Sequence, residues 1–214
     1  MPLHALTSTL WFPPVSDALE DGLLAMGGDV SVERLLLAYR NGIFPWYDDT
    51  PPLWWSPDPR FVLIPDELKV SKSMQQLIKK KTFTFKTNTA FGDVITHCQS
   101  LPRKGQDGTW ITEELKEAFI ELHQLGHAHS AETWVNDELV GGLYGIKMGP
   151  FFFGESMFSK VSNASKFAFI HWVKQLQQEG IILIDCQVHT DHLESLGAKM
   201  IPRAHFIRLL KQHI

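Results

Sequence analysis

A chain of 214 residues with 44% hydrophobic side chains can bury a sizeable core, which excludes an intrinsically disordered protein. Two cysteines, Cys98 and Cys186, stand far apart, which excludes a disulfide scaffold and a thiolate zinc site. The net charge is −4, which excludes retention on nucleic acid by bulk positive charge, and with neither a basic leader nor a long apolar run a soluble cytoplasmic protein is expected.

The charge is uneven along the chain. Residues 1–59 carry eight acidic groups against Arg34 and Arg40. Residues 60–86 carry Arg60, Lys69, Lys72, Lys79, Lys80, Lys81 and Lys86 against Asp66 and Glu67. Such a cluster is either an ordinary solvated face or a phosphate-binding one.

In chain order, the first sixty residues are punctuated by Phe12-Pro13-Pro14, Gly27-Gly28-Asp29, Phe44-Pro45-Trp46 and Pro51-Pro52, around one helix capped by Ser31 and closed by Gly42. Three tryptophans, Trp46, Trp54 and Trp55, fall close together. Burial is expected for at least two of them, the alternative being a platform for base stacking. Lys69 to Lys81 reads as a basic helix, Thr82 to Lys86 as a strand, and Phe91 to Cys98 as a helix. Thr112 caps a further helix that ends at Gly126. A strand from Ser130 to Val135, a turn at Asn136-Asp137 and a strand from Leu139 to Met148 broken at Gly141-Gly142 form a hairpin. Phe151 to Phe153 follows Gly149-Pro150, and Asn163 is read as the cap of a long helix ending at Gly180. Ile181 to Cys186 is an apolar strand, Asp191 to Leu196 a short helix, and Arg203 to Gln212 a terminal one. The order of elements predicts an α+β protein with helices packed on a mixed sheet.

Three places carry candidate chemistry. At the end of the Ile181–Cys186 strand, alternation puts Asp185 and Gln187 on one face and Cys186 on the other. An acid and an amide so placed can hold an attacking amine, or simply face solvent. Glu155 lies in the aromatic run Phe151 to Phe158, where a carboxylate needs a partner. Gly154-Glu155-Ser156-Met157-Phe158 lacks the second glycine of a nucleophile elbow, which weakens Ser156 as a hydrolase nucleophile. His123 and His127 have i, i+4 spacing and His189 and His192 lie close, but no HExxH pattern is present and no metal is expected. No glycine-rich nucleotide loop is present, and no cofactor is expected.

Seven runs occur together in one order: Asn41-Gly42-Ile43-Phe44-Pro45-Trp46, Trp54-Trp55-Ser56-Pro57-Asp58-Pro59-Arg60, Gly108-Thr109-Trp110-Ile111-Thr112, Gly126-His127-Ala128-His129-Ser130, Leu139-Val140-Gly141-Gly142-Leu143-Tyr144-Gly145, Gly154-Glu155-Ser156-Met157-Phe158-Ser159 and Leu183-Ile184-Asp185-Cys186-Gln187-Val188. Together they resemble the bacterial leucyl/phenylalanyl-tRNA–protein transferases, from about Phe12 to Arg208. The resemblance implies a small turn-rich N-terminal domain over residues 1–60 and a GNAT-like acyltransferase domain over residues 61–214. It implies transfer of Leu or Phe, with Met as a further candidate, from aminoacyl-tRNA to proteins beginning with Arg or Lys, creating an N-degron. A monomer without membrane or metal partners is expected.

By the same resemblance Asp185 and Gln187 are the catalytic pair, helped by Glu155. Leu143, Met157, Phe169, Trp172 and Ile184 surround the Leu or Phe side chain, and Trp46 and Trp110 stack on the terminal adenosine. Arg60, Lys72, Lys79, Lys80 and Lys81 take the acceptor arm. Phe169 and Trp172 depart from the family's usual apolar residues, and some members continue beyond the position of Ile214. Rival readings are a ligase adding small residues to a cell-wall precursor, a non-catalytic tRNA or degron adaptor, and a CoA-dependent N-acetyltransferase.

Overall fold

The computed structural model describes residues 3–100 and 110–214; Gly108 and Thr109 of the third motif run lie outside them. The N-terminal part forms strands β1 (His4–Leu6) and β2 (Leu23–Gly27), helix α1 (Val32–Arg40), and strands β3 (Phe44–Pro45) and β4 (Leu53–Trp55). The four strands make one sheet in the order β1-β2-β4-β3. Ser31 caps α1 by accepting from the Arg34 amide, and Gly42 at φ 72° turns the chain into β3. The sequence reading gave this part turns and one helix, because strands of two to five residues are too short to display a period of two.

The second sheet gathers β5 (Arg60–Leu63), β6 (Thr84–Thr87), β7 (Ala128–Val135), β8 (Glu138–Met148), β9 (Phe151–Ser159), β10 (Leu183–Gln187) and β11 (Lys199–Ile201). Its order is β11-β5-β10-β9-β8-β7-β6, antiparallel throughout except between β9 and β10. Helices α2 (Lys72–Lys79), α3 (Phe91–Ser100), α4 (Glu113–Gln124), α5 (Ala164–Gln178), α6 (Asp191–Glu194) and α7 (Arg203–His213) complete the chain. The expected α+β architecture, a mixed sheet flanked by helices, is what forms.

One apolar cluster joins the N-terminal sheet to α1, α3, α4 and α7, and a second lies around α5. No helix among the described residues is long and apolar enough to cross a membrane.

Three local expectations are corrected. β8 runs unbroken through Gly141 and Gly142; these positions lack side chains because a Cβ on Gly141 would meet the Ala164 Cβ at 2.5 Å. β9 continues past Phe153 to Ser159, so Gly154 to Phe158 is extended and forms no elbow. Asn163 stands at the N-cap of α5 in the left-handed region at φ 69°, and its side chain caps nothing.

Candidate active site

β9 and β10 are paired from Leu183 and Phe151 to Asp185 and Phe153. Beyond that they part. β9 remains with β8 as far as Ser159, while β10 is interrupted by a register shift between Asp185 and Gln187, with Gln187 in the left-handed region at φ 60°. The wedge between the two strands opens into a cavity of about 810 Å³. Its apolar wall comes from Leu143, Phe152, Met157, Phe169, Ile184 and Cys186, and Phe44, Pro45, Trp46 and Trp110 also line it.

Trp54 is buried, Trp55 partly buried, and Trp46 is 37% exposed. Fewer of these rings are therefore core than expected. The Trp55 indole donates to the Trp46 carbonyl at 2.6 Å, and the two rings lie 5.5 Å apart, which fixes the loop carrying Trp46. Trp110 precedes Ile111, whose carbonyl accepts from Gln99 Nε2 at 3.0 Å, and Thr112, the cap of α4.

Within the wedge Gln187 Nε2 donates to Glu155 Oε1 at 2.8 Å. Burial pushes the Glu155 carboxyl up to about 8; the Tyr39 hydroxyl nearby opposes the shift, Asp185 adds to it, and Gln187 and Arg60 oppose it. Tyr39 is held well above its ordinary value by burial and by Glu155. Burial raises the Cys186 thiol strongly, which leaves it packed and unreactive.

Asp185 is next to Gln187 but does not reach the cavity. It is fully buried, and both its oxygens accept from Arg60, Nε to Oδ1 at 2.8 Å and Nη2 to Oδ2 at 2.6 Å. Oδ1 also accepts the Gln187 amide at 3.0 Å. The expectation that Asp185 touches the attacking amine is corrected on this ground. Arg60 likewise cannot contact a phosphate, because it is fully buried between the rings of Phe44 and Phe206, at 4.7 and 4.9 Å.

Trp172 is also displaced from its expected role. It packs in the core against Phe152, ring centroids 5.5 Å apart, and does not line the cavity. Leu143, Met157, Phe169, Ile184, Trp46, Trp110, Glu155 and Gln187 are brought together around the cavity. The sequence reading missed Tyr39, Phe44, Ser159, Ser165 and His192. Tyr39 lies in the apolar stretch of the first helix, which gives no sign of a site residue, and the signal available for Phe44 is its place beside Trp46 in the first motif run.

Among the described residues, His189, Asp191 and Glu194 offer ligand atoms within 4.8 Å of one another. All three are exposed, and His189 already pairs with Glu194 at 3.2 Å.

The family described as leucyl/phenylalanyl-tRNA protein transferase matches residues 62–211, and the N-terminal domain of that description matches residues 28–58. The chain belongs to this family. A relative named leucyl/phenylalanyl-tRNA–protein transferase from Flavobacterium psychrophilum is 54% identical over 211 residues, 98% of this chain and 100% of the relative. One of the same name from Chromobacterium violaceum is 53% identical over 206 residues, 95% of this chain and 88% of the relative. Among solved structures, L-PGS from Bacillus licheniformis is 13% identical at a TM-score of 0.45, covering 78% of this chain and 54% of that one.

In this member of the transferase family none of the cations of α2 and its C-terminal turn lines the cavity. Lys72, Lys79, Lys80 and Lys81 are all exposed, and none forms an ion pair among the described residues.

Proposed function

We propose that the chain moves leucine or phenylalanine, with methionine as a further donor residue, from aminoacyl-tRNA to the N-terminal Arg or Lys of acceptor proteins, creating an N-degron. The observation that carries this reading is the hydrogen-bonded Gln187–Glu155 pair in a large apolar cavity edged by two tryptophans. The apolar wall of Leu143, Met157, Phe169 and Ile184 suits a large aliphatic or aromatic side chain and gives little binding to a small one. Trp46 and Trp110 are suited to hold the terminal adenosine by stacking. The exposed lysines on and after α2 suit the phosphates of the acceptor arm.

The aminoacyl ester is already activated. The amine nitrogen of the acceptor forms a bond to the ester carbonyl carbon, the bond from that carbon to the ribose oxygen breaks, and the amine's proton ends on the departing ribose hydroxyl. With its Nε2 engaged by Glu155, Gln187 turns its carbonyl oxygen outward to accept from the amine and align it. Glu155, with its raised pKa, takes the amine's proton and returns it to the leaving oxygen. In its ionised form its charge also favours a cationic acceptor. Asp185 is a positioning residue that holds the Gln187 backbone from below. No covalent enzyme intermediate is needed.

The test is transfer of labelled leucine from Leu-tRNA to peptides beginning with Arg or with Asp. Transfer to the Arg peptide alone is expected, falling roughly 100-fold or more in Gln187→Ala. Tight tRNA binding without transfer in the native protein would replace this reading with a non-catalytic adaptor.

A further inference from the structure

From Phe151 to Phe153 β9 has a strand on each edge, and beyond Phe153 β8 alone continues beside it as far as Ser159. We propose that the edge β10 leaves uncovered, from Glu155 to Ser159, takes the first residues of the acceptor protein as an added strand parallel to β9. This names how the acceptor is held at the same site and rests on the transfer reading above.

The cavity runs along this edge. Side chains of a strand alternate between its faces, so a cavity on one face is lined by every second residue. Here every residue from Gly154 to Ser159 lines it, which places the cavity beside the backbone itself. Gly154 has only backbone to offer. Met157 and Phe158 belong to opposite faces, Met157 opposite Leu143 and Phe158 opposite Gly142 on β8. A strand edge carries N–H and C=O groups at fixed spacing, the template on which an extended peptide adds as a further strand.

The way β10 leaves the sheet sets the polarity. Its parallel register pairs Asp185 with Phe153, and Gln187 still reaches Glu155 at 2.8 Å. There the chain turns out. Gln187 is left-handed at φ 60°, and the Val188 N–H folds back onto the Cys186 carbonyl at 2.7 Å. A peptide that takes up the course β10 abandons begins with its amine at the Gln187 side chain and runs towards Ser159. Ser159 is exposed, so the rest of the acceptor leaves to solvent. Glu155 to Ser159 covers about 13 Å, the length of roughly four extended residues.

The donor offers no such pattern. Its side chain and adenine match the apolar wall and the two tryptophans, and it contains no run of peptide groups. Among the described residues Glu155 is the one Asp, Glu, Lys or Arg side chain that lines the cavity. Acceptor residues after the first are therefore held through their backbone, with their side chains left unselected by charge. That suits acceptors that share a first residue and differ afterwards.

The experiment uses the native protein and acceptor peptides beginning Arg-Ala-Ala-Ala, unmodified or N-methylated at the second, third or fourth residue. N-methylation removes one N–H and puts a methyl group where a neighbouring strand would bond. Successive N–H groups of an extended chain point to opposite sides, so sensitivity should alternate. In transfer from Leu-tRNA, kcat/KM is expected to fall about tenfold or more at the third residue alone, or at the second and fourth, and to change little at the others. Equal losses at neighbouring residues, or none at any, overturn the added strand. If the unmodified peptide is not a substrate, the transfer reading fails separately. Fluorescence anisotropy of a labelled Arg-Ala-Ala-Ala peptide, competed by the three methylated peptides, then decides: alternating affinities support the added strand, and equal affinities or no binding overturn it.

Discussion

Arg60 and Asp185 meet as a fork on a carboxylate beneath the end of β10, with neither side chain exposed. The pair links distant parts of the chain: Phe206 of α7 lies against one side of the guanidinium, and Asp185 accepts the backbone N–H of left-handed Gln187. A left-handed non-glycine residue costs on the order of 1 kcal/mol, and this hydrogen bond helps to offset it. Arg60→Met leaves a buried carboxylate without its partner and should lower stability by about 3–5 kcal/mol. Arg60→Lys keeps the charge but loses the fork, so kcat should fall while KM changes little. The double variant Arg60→Met/Asp185→Leu removes both charges and should regain stability in urea denaturation without regaining rate. A double variant with native kcat would reduce the pair to a structural role.

The Glu155 carboxyl, raised by burial to about 8, sets a pH dependence in rate. Its ionised form accepts the amine's proton, and that form grows as pH rises, so kcat should climb to a plateau above pH 8. Glu155→Gln should be slow and flat over the same range. Stability runs the other way. The folded pKa of about 8 lies above the ordinary value of 4.5, so Glu155 contributes stability that is fully present below about 4.5 and lost as pH rises through about 8. Melting temperatures should show the native protein losing ground to Glu155→Gln between about pH 5 and pH 8; parallel curves would place the titration elsewhere.

The legible parts of this molecule were those with a long enough pattern. Helix α4 declared itself by periodicity and its Thr112 cap, α5 by periodicity, and the hairpin of β7 and β8 by the Asn136-Asp137 turn. The four-stranded N-terminal sheet did not, because its short strands are defined by partners distant in sequence, as Leu23 pairs with Trp55. Strict alternation along β10 put Asp185 and Gln187 on one face and Cys186 on the other, but the register shift and the left-handed Gln187 bring Gln187 to the cavity with Cys186 and leave Asp185 on Arg60. Depth was not legible: a strand-end carboxylate looks the same whether it faces a cavity or a guanidinium 125 positions away. Arg60 was read with the lysines that follow it because local charge was its visible property, whereas the run Phe61-Val62-Leu63 after it marked a buried strand.

Trp46 and Trp110 should be separable from the apolar wall by their effect on the donor alone. Replacing either by Ala is expected to weaken binding of leucyl-adenosine by on the order of 1–3 kcal/mol, seen as a higher donor KM with the acceptor peptide's KM unchanged. Stability should fall little for Trp46→Ala, since that ring is 37% exposed. A loss confined to acceptor KM would assign the rings to the peptide instead.

Met157 faces Leu143 across β8 and β9, and both line the cavity. A thioether side chain is unbranched and adapts to the shape beside it, which suits a wall that takes leucine and phenylalanine in turn. Met157→Ala removes contacts that a leucyl group needs and makes room that a phenyl ring can fill. The ratio of kcat/KM for Leu-tRNA to that for Phe-tRNA should therefore fall by roughly 10-fold or more. Trp172→Phe serves as the comparison, because Trp172 packs on Phe152 behind the wall and should cost stability while leaving that ratio unchanged. The reverse result, a ratio set by Trp172 and indifferent to Met157, would move the side-chain pocket from the β8–β9 wall into the α5 core.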